Sequence, residues 1–146
     1  MSGARTGVVV AVLAVLPLAG CGGGNDYCGT VGEHQSQLGS IARSGDRTAL
    51  IQALPIFEDL QSTAPDDVAD DWQLLVTRIQ ALDTALKNAD VDPATYDAKH
   101  PPAGLSAGNR SLIRRAAAQL AASDTQQALT TVQQEVLDVC HEPLEL

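Results

Sequence analysis

Six apolar residues, Val68, Trp72, Leu75, Ile79, Leu82 and Leu86, follow one another at spacings that alternate between four and three. That rhythm places all six on one face of an α-helix, whereas in a strand successive residues alternate between opposite faces. It therefore predicts a helix over residues 66–87. Pro65 suits its first turn, and Asp66 and Asp67 lie where the helix dipole favours negative charge. An apolar stripe of this length must be covered by other elements, so the rest of the chain is expected to fold around it.

The remaining segments supply helical partners. A first helix is expected from Asp26 to about Arg43, capped by Asp26 or Asn25, with Cys28, Val31, Leu38, Ile41 and Ala42 as its apolar marks. Gly32 and Gly39 weaken it, each by about 1 kcal/mol relative to Ala. Ser44-Gly45-Asp46 stops that helix and starts the next, which carries Leu50, Ala53, Leu54, Phe57 and Leu60. Pro55 falls inside this run and predicts a kink or two half-helices, because proline removes a backbone donor. Residues 109–122 repeat Leu112, Ala116 and Leu120, with Ile113 and Ala117 beside them. After Ser123-Asp124 a last helix is expected to bury Leu129, Val132, Val136, Val139 and Cys140 before Pro143 ends it.

Between Asn88 and Gly108 the periodicity disappears. Asp92-Pro93 predicts a brief helix to Ala98 or Lys99, inside a connection longer than compact domains commonly use. Strand signals and internal repeats are absent. The fold expected is all-α, a single bundle of four to five helices.

The N-terminal stretch has a different character. Arg5 precedes an apolar run from Val8 to Leu16, and Leu18-Ala19-Gly20-Cys21 follows. The 12 residues from Val8 to Ala19 are too few for a spanning helix, which needs roughly 20. They suit the apolar core of a secretory signal. The four residues ending at Cys21 resemble the lipobox of bacterial lipoproteins. This resemblance implies removal of residues 1–20, lipidation of Cys21, and attachment to the outer face of the cell membrane through membrane lipid. Residues 21–25 then form a glycine-rich tether and residues 26–146 the helical bundle.

With Cys21 assigned to lipid, Cys28 and Cys140 remain as a pair near the two ends of the domain. An environment outside the cytoplasm permits a disulfide; two separate buried thiols are the alternative. The lipobox, the cysteine soon after it, the opening Ala64-Pro65-Asp66-Asp67 and the cysteine near the C-terminus together resemble small exported lipoproteins of actinobacterial type. Those are helical and without assigned activity, so the resemblance implies an architecture and no active-site residues.

Charge and composition restrict the chemistry. Nine Lys or Arg face 18 Asp or Glu, a net charge of −9 that becomes −10 when Arg5 leaves with the signal. So acidic a body repels phosphate backbones, and no nucleic-acid partner is expected. The four aromatic residues, Tyr27, Phe57, Trp72 and Tyr96, are too few for a stacking cleft. Asp66, Asp67, Asp70 and Asp71 could hold a hard cation but read better as a solvated helix start. His34, His100 and His141 are isolated, and no serine lies in a nucleophile motif. No metal, cofactor or catalytic residue is implied.

Two surfaces remain. Tyr96, Asp97, Lys99 and His100 lie in the long connection and mix an aromatic ring with titratable groups, as binding loops do, although a capped surface turn explains them as well. Arg110, Arg114 and Arg115 are the only basic cluster; they could meet an anionic partner, but pairing with the nearby surplus of acids is the expectation. The function expected is that of a membrane-anchored, non-enzymatic envelope protein that binds or scaffolds another protein. The alternative is a carrier of a small apolar ligand held between helices, with the long connection as a lid. A hydrolase or metal-binding protein is the least expected.

Overall fold

The computed structural model describes residues 23–145; the signal run, the lipobox and Cys21 lie outside them. Five helices follow in order: α1 (Gly23–Ser44), α2 (Ala49–Thr63), α3 (Ala69–Asn88), α4 (Ala107–Leu120) and α5 (Ser123–Cys140). The described residues contain no strand. Helices α1, α2, α3 and α5 pack in a ring, each against the next, and α4 packs on α3. The structure is thus the expected all-α bundle.

Cys28 on α1 and Cys140 at the end of α5 form a disulfide, their Cα atoms 5.2 Å apart and 112 residues apart in sequence. The ring is closed covalently where the chain enters and leaves it. Inside, Trp72 of α3 is fully buried, packs on Phe57 of α2 at 5.8 Å between ring centroids, and donates its indole N–H to the Tyr27 hydroxyl at 2.8 Å. A buried indole donor left without a partner would cost about 1–3 kcal/mol, so Tyr27 completes the core rather than merely filling it. Val31, Leu38, Leu60, Ile79, Ala128, Val132 and Val136 surround this pair.

Several expectations are corrected. Helix α1 begins at Gly23, so the glycine-rich segment is helical at Gly23 and Gly24 rather than a free tether through Asn25. Helix α3 starts at Ala69, because Asp66-Asp67-Val68 form a turn closed by Val68 N–H to the Pro65 carbonyl at 3.1 Å. Helix α2 runs unbroken past Pro55, which lies on its exposed side, so two half-helices do not form. The Asp92-Pro93 segment is a turn and not a brief helix.

Two helices bury most of the expected residues, Leu129 and Cys140 of α5 and Leu120 of α4 packing at the edge of the core, but differ at single positions. On α4 the buried residues are Ile113 and Ala116, while Leu112 is 47% exposed. On α5 they are Thr125, Ala128, Val132 and Val136, and steps of four lead on to Cys140, leaving Val139 exposed. Beyond α5, His141 takes a left-handed conformation and turns the tail back along α1. There Leu144 enters the core, Gln35 donates to the Pro143 carbonyl at 3.4 Å, and Arg43 pairs with Glu145 at 3.1 Å.

Candidate functional site

The second half of α3 meets no ring of helices. Leu86, Leu105 and Ile113 are buried there, joined by the half-buried Ile51, Leu82, Val91 and Tyr96. This small cluster is the floor of a cleft of about 540 Å³ between the start of α2, the end of α3, the first turns of α4 and the connection before it. Such a volume lies within the usual range for small-ligand sites, about 300–1,000 Å³. The main core, by contrast, leaves a crevice of about 80 Å³ beside Phe57 and Trp72.

Local chain chemistry builds the cleft. Helix α3 ends in a Schellman turn: Asp90 takes φ of 51°, Asp90 N–H bonds the Lys87 carbonyl at 3.0 Å, and Val91 N–H bonds the Leu86 carbonyl at 3.1 Å. Val91 then packs in the same cluster as Leu86, the apolar contact that accompanies this motif. The chain is thereby turned back over the helix it has just left. Asp92 holds the next turn, accepting from Ala94 N–H at 2.8 Å through its carboxylate and from Tyr96 N–H at 3.0 Å through its carbonyl. That turn seats the Tyr96 ring against the cluster. Ser106 caps α4 by accepting from Asn109 N–H at 3.1 Å, which starts the helix at Ala107 rather than Asn109.

On the opposite wall, Gly45 stops α1 in a left-handed conformation, φ 63°, and Asp46 organises the entry to α2. Its carboxylate accepts from the backbone N–H and the hydroxyl of Thr48, both at 2.8 Å. These hydrogen bonds lower the Asp46 pKa, and they fix the turn that carries Arg47 to the mouth of the cleft.

Four bases line this cleft, Arg47, Lys99, Arg110 and Arg114, and no carboxylate does. None of the four makes an ion pair among the described residues, whereas Arg43, Arg78 and Lys87 each do. The expectation that Arg110, Arg114 and Arg115 pair with nearby acids is therefore corrected. Asp97 accepts from the Lys99 backbone N–H at 2.8 Å and pairs with the His100 ring at 2.9 Å, and its pKa is lowered chiefly by the His100 contact. Elsewhere acids crowd one another: Glu135 is held above its ordinary pKa by burial first, then by Asp67 and Asp138.

Of the residues expected to form a binding loop, the structure brings Tyr96 and Lys99 into the cleft and leaves Asp97 and His100 paired at its outside. It unites those two with Arg110 and Arg114, which sequence placed on a separate surface. Arg47 and Ile51 were not anticipated, and Leu82 was expected only as part of the α3 seam. Asp66 and Asp67 precede α3 while Asp70 and Asp71 open it, and among the described residues no group of three His, Cys, Asp or Glu side chains is arranged to hold a metal ion. Nor is any described helix long and apolar enough to cross a membrane. Comparison of the chain with protein-family models, with curated proteins and with solved structures finds no match to any of the three.

Proposed function

We propose that this protein is a non-enzymatic ligand-binding module of the cell envelope, tethered through lipid on Cys21 and receiving a small, largely apolar ligand in the cleft beside α4. The observation that carries this reading is the 540 Å³ cleft with an apolar floor, set against a main core with no comparable space. Binding to a protein through an apolar face is less supported. The large exposed apolar residues, Leu50, Leu112, Leu137 and Val139, are distributed over three helices, and scattered residues of this kind are ordinary on a surface.

The test uses the full chain, processed in a bacterial host and held in phosphatidylcholine nanodiscs. A long-chain alcohol bearing a diazirine is photolysed and its adducts are mapped. Labelling should fall on the peptides that carry Tyr96 and Ile113, and Ala117→Trp, which fills the cleft, should abolish it. Adducts spread over Leu112, Leu137 and Val139 and indifferent to Ala117→Trp would sink the reading. The tether is tested separately by intact mass of the native protein, where an unmodified Cys21 with residues 1–20 retained would remove it.

A further inference from the structure

We infer that the ligand of this cleft is a single-chain amphiphile with a carboxylate head, a fatty acid in chemical class, with its chain on Ile51, Leu82 and Ile113 and its head held by Arg110 and Arg114. The inference rests on the cleft reading above and narrows it. Its basis is a segregation of charge that an acidic protein has no general reason to adopt. The chain has twice as many acids as bases, 18 against nine. Yet the cleft collects four of the bases and none of the acids.

Unpaired guanidinium groups on such a surface would ordinarily attract the surplus carboxylates, since even exposed pairs are mildly favourable. The carboxylates adjoining the mouth, Asp46 and Asp97, both feel the charge of Arg47 and are held by Thr48 and by Lys99 N–H and His100. Neither forms an ion pair with Arg110 or Arg114, so these two guanidinium groups are left for an external anion. Arg110 and Arg114 stand one helical turn apart on α4, the spacing at which two side chains reach the same point in space. Guanidinium forks bind carboxylates in a bidentate manner. Arg47 and Lys99 bring positive charge to the same opening from α2's approach and from the connection.

The polarity of the lining sets the rest of the ligand. Apart from the four cations and the Tyr96 hydroxyl, the lining residues are Ile, Leu, Pro and Ala. No Ser, Thr, Asn or Gln lines the space, so a sugar or a nucleoside would find its hydroxyl and amide groups without partners inside. An alkyl chain needs none. A ligand polar at one end and apolar along its length matches both the floor and the rim.

The deciding experiment compares two photoreactive probes of equal chain length, a diazirine-bearing fatty acid and the corresponding alcohol, on the full chain in phosphatidylcholine nanodiscs. The acid should label the Tyr96 and Ile113 peptides about tenfold more efficiently than the alcohol, the discrimination expected of a charge-assisted head contact. The double variant Arg110→Gln, Arg114→Gln should lower acid labelling to the level of the alcohol and leave alcohol labelling unchanged. Both residues are exposed, and circular dichroism should show the variant still folded. Arg115→Gln, whose side chain lies outside this cleft, should change nothing.

Equal labelling of the cleft by acid and alcohol would overturn the carboxylate assignment while leaving the cleft reading intact. An equal loss in Arg115→Gln would also overturn it, by tracing the effect to net charge. Absence of cleft labelling by either probe would overturn both readings together.

Discussion

Helix α3 serves two regions of this molecule that differ in how fully they are enclosed. Its first half, from Trp72 to Ile79, is enclosed by α2 and α5, with α1 completing the ring, and its apolar residues are 5% exposed or less on the buried face. Its second half has α4 on one side and a connection without regular structure on another, and Leu82 there is only half-buried. One apolar rhythm runs through both halves. The difference teaches that the seam specifies a face to be covered, while the number of helices available decides whether that cover is a closed core or an open cleft. Local stability should follow the same division, because regions with fewer buried contacts open at lower free energy.

The largest expected effect breaks the closed region at its covalent clamp. Replacing Cys28 and Cys140 together by Ser should destabilise the fold by about 3–5 kcal/mol, since the bridge closes most of the chain into one loop. Urea unfolding measures this, and an unchanged midpoint would mean that the ring closes without it. The next effect sharpens the comparison within α3 itself. Leu75→Ala removes a side chain from the dry core and should cost about 2–4 kcal/mol, whereas Leu82→Ala, at the cleft floor, should cost about 1 kcal/mol or less because no sealed cavity is left. Equal losses would show that the cleft is packed as tightly as the core.

How much of this was legible in advance follows the same boundary. The closed region could be read, because a repeat of four and three on α3 needs only helical geometry to interpret. The cysteine pair could be read once Cys21 was set aside. The exposure of Leu112 and Val139 could not, since they satisfy the helical period as well as Ile113 and Cys140 do, and only packing against α3 and α1 chooses between them. The cleft was seen in fragments. Tyr96 and Lys99 stood out as a loop and Arg110 and Arg114 as a cluster, but their convergence depends on the Schellman turn at Asp90, which reverses the chain over α3. A carboxylic residue in the left-handed position is a weak signal, since glycine is the usual occupant. Arg47 carried none, because its place depends on the turn held by Asp46.

A third prediction probes the closed region by pH. Burial pushes the Tyr27 hydroxyl up to about 12, against a hydrogen bond from Trp72 that acts in the other direction. In the unfolded chain tyrosine ionises near 10. The folded-state value is the higher, so the stabilisation is fully present below about pH 10 and is lost as pH rises toward about 12. The loss should approach roughly 2–3 kcal/mol, and Tyr27→Phe should flatten the alkaline limb at the expense of stability at neutral pH. Tyrosinate absorbance measured in Tyr96→Phe, where Tyr27 is the one tyrosine left, follows this ionisation alone. If Tyr27 ionises near pH 10 in the folded protein, the ring around Trp72 admits water.

The smallest effect acts on the open region. Asp90 holds φ of 51° at the end of α3, a conformation that glycine adopts without the penalty a Cβ brings. Asp90→Gly therefore removes strain from the folded state while adding freedom to the unfolded one, and the balance should be a gain of about 0.5 kcal/mol. Because the turn feeds the cleft and not the core, the gain should appear as slower amide exchange at Val91 and along the connection, with the exchange of α1 and α5 unchanged. Slower exchange throughout the molecule would mean that the two halves of α3 open as one unit, and the division between closed core and open cleft would then be geometric without being energetic.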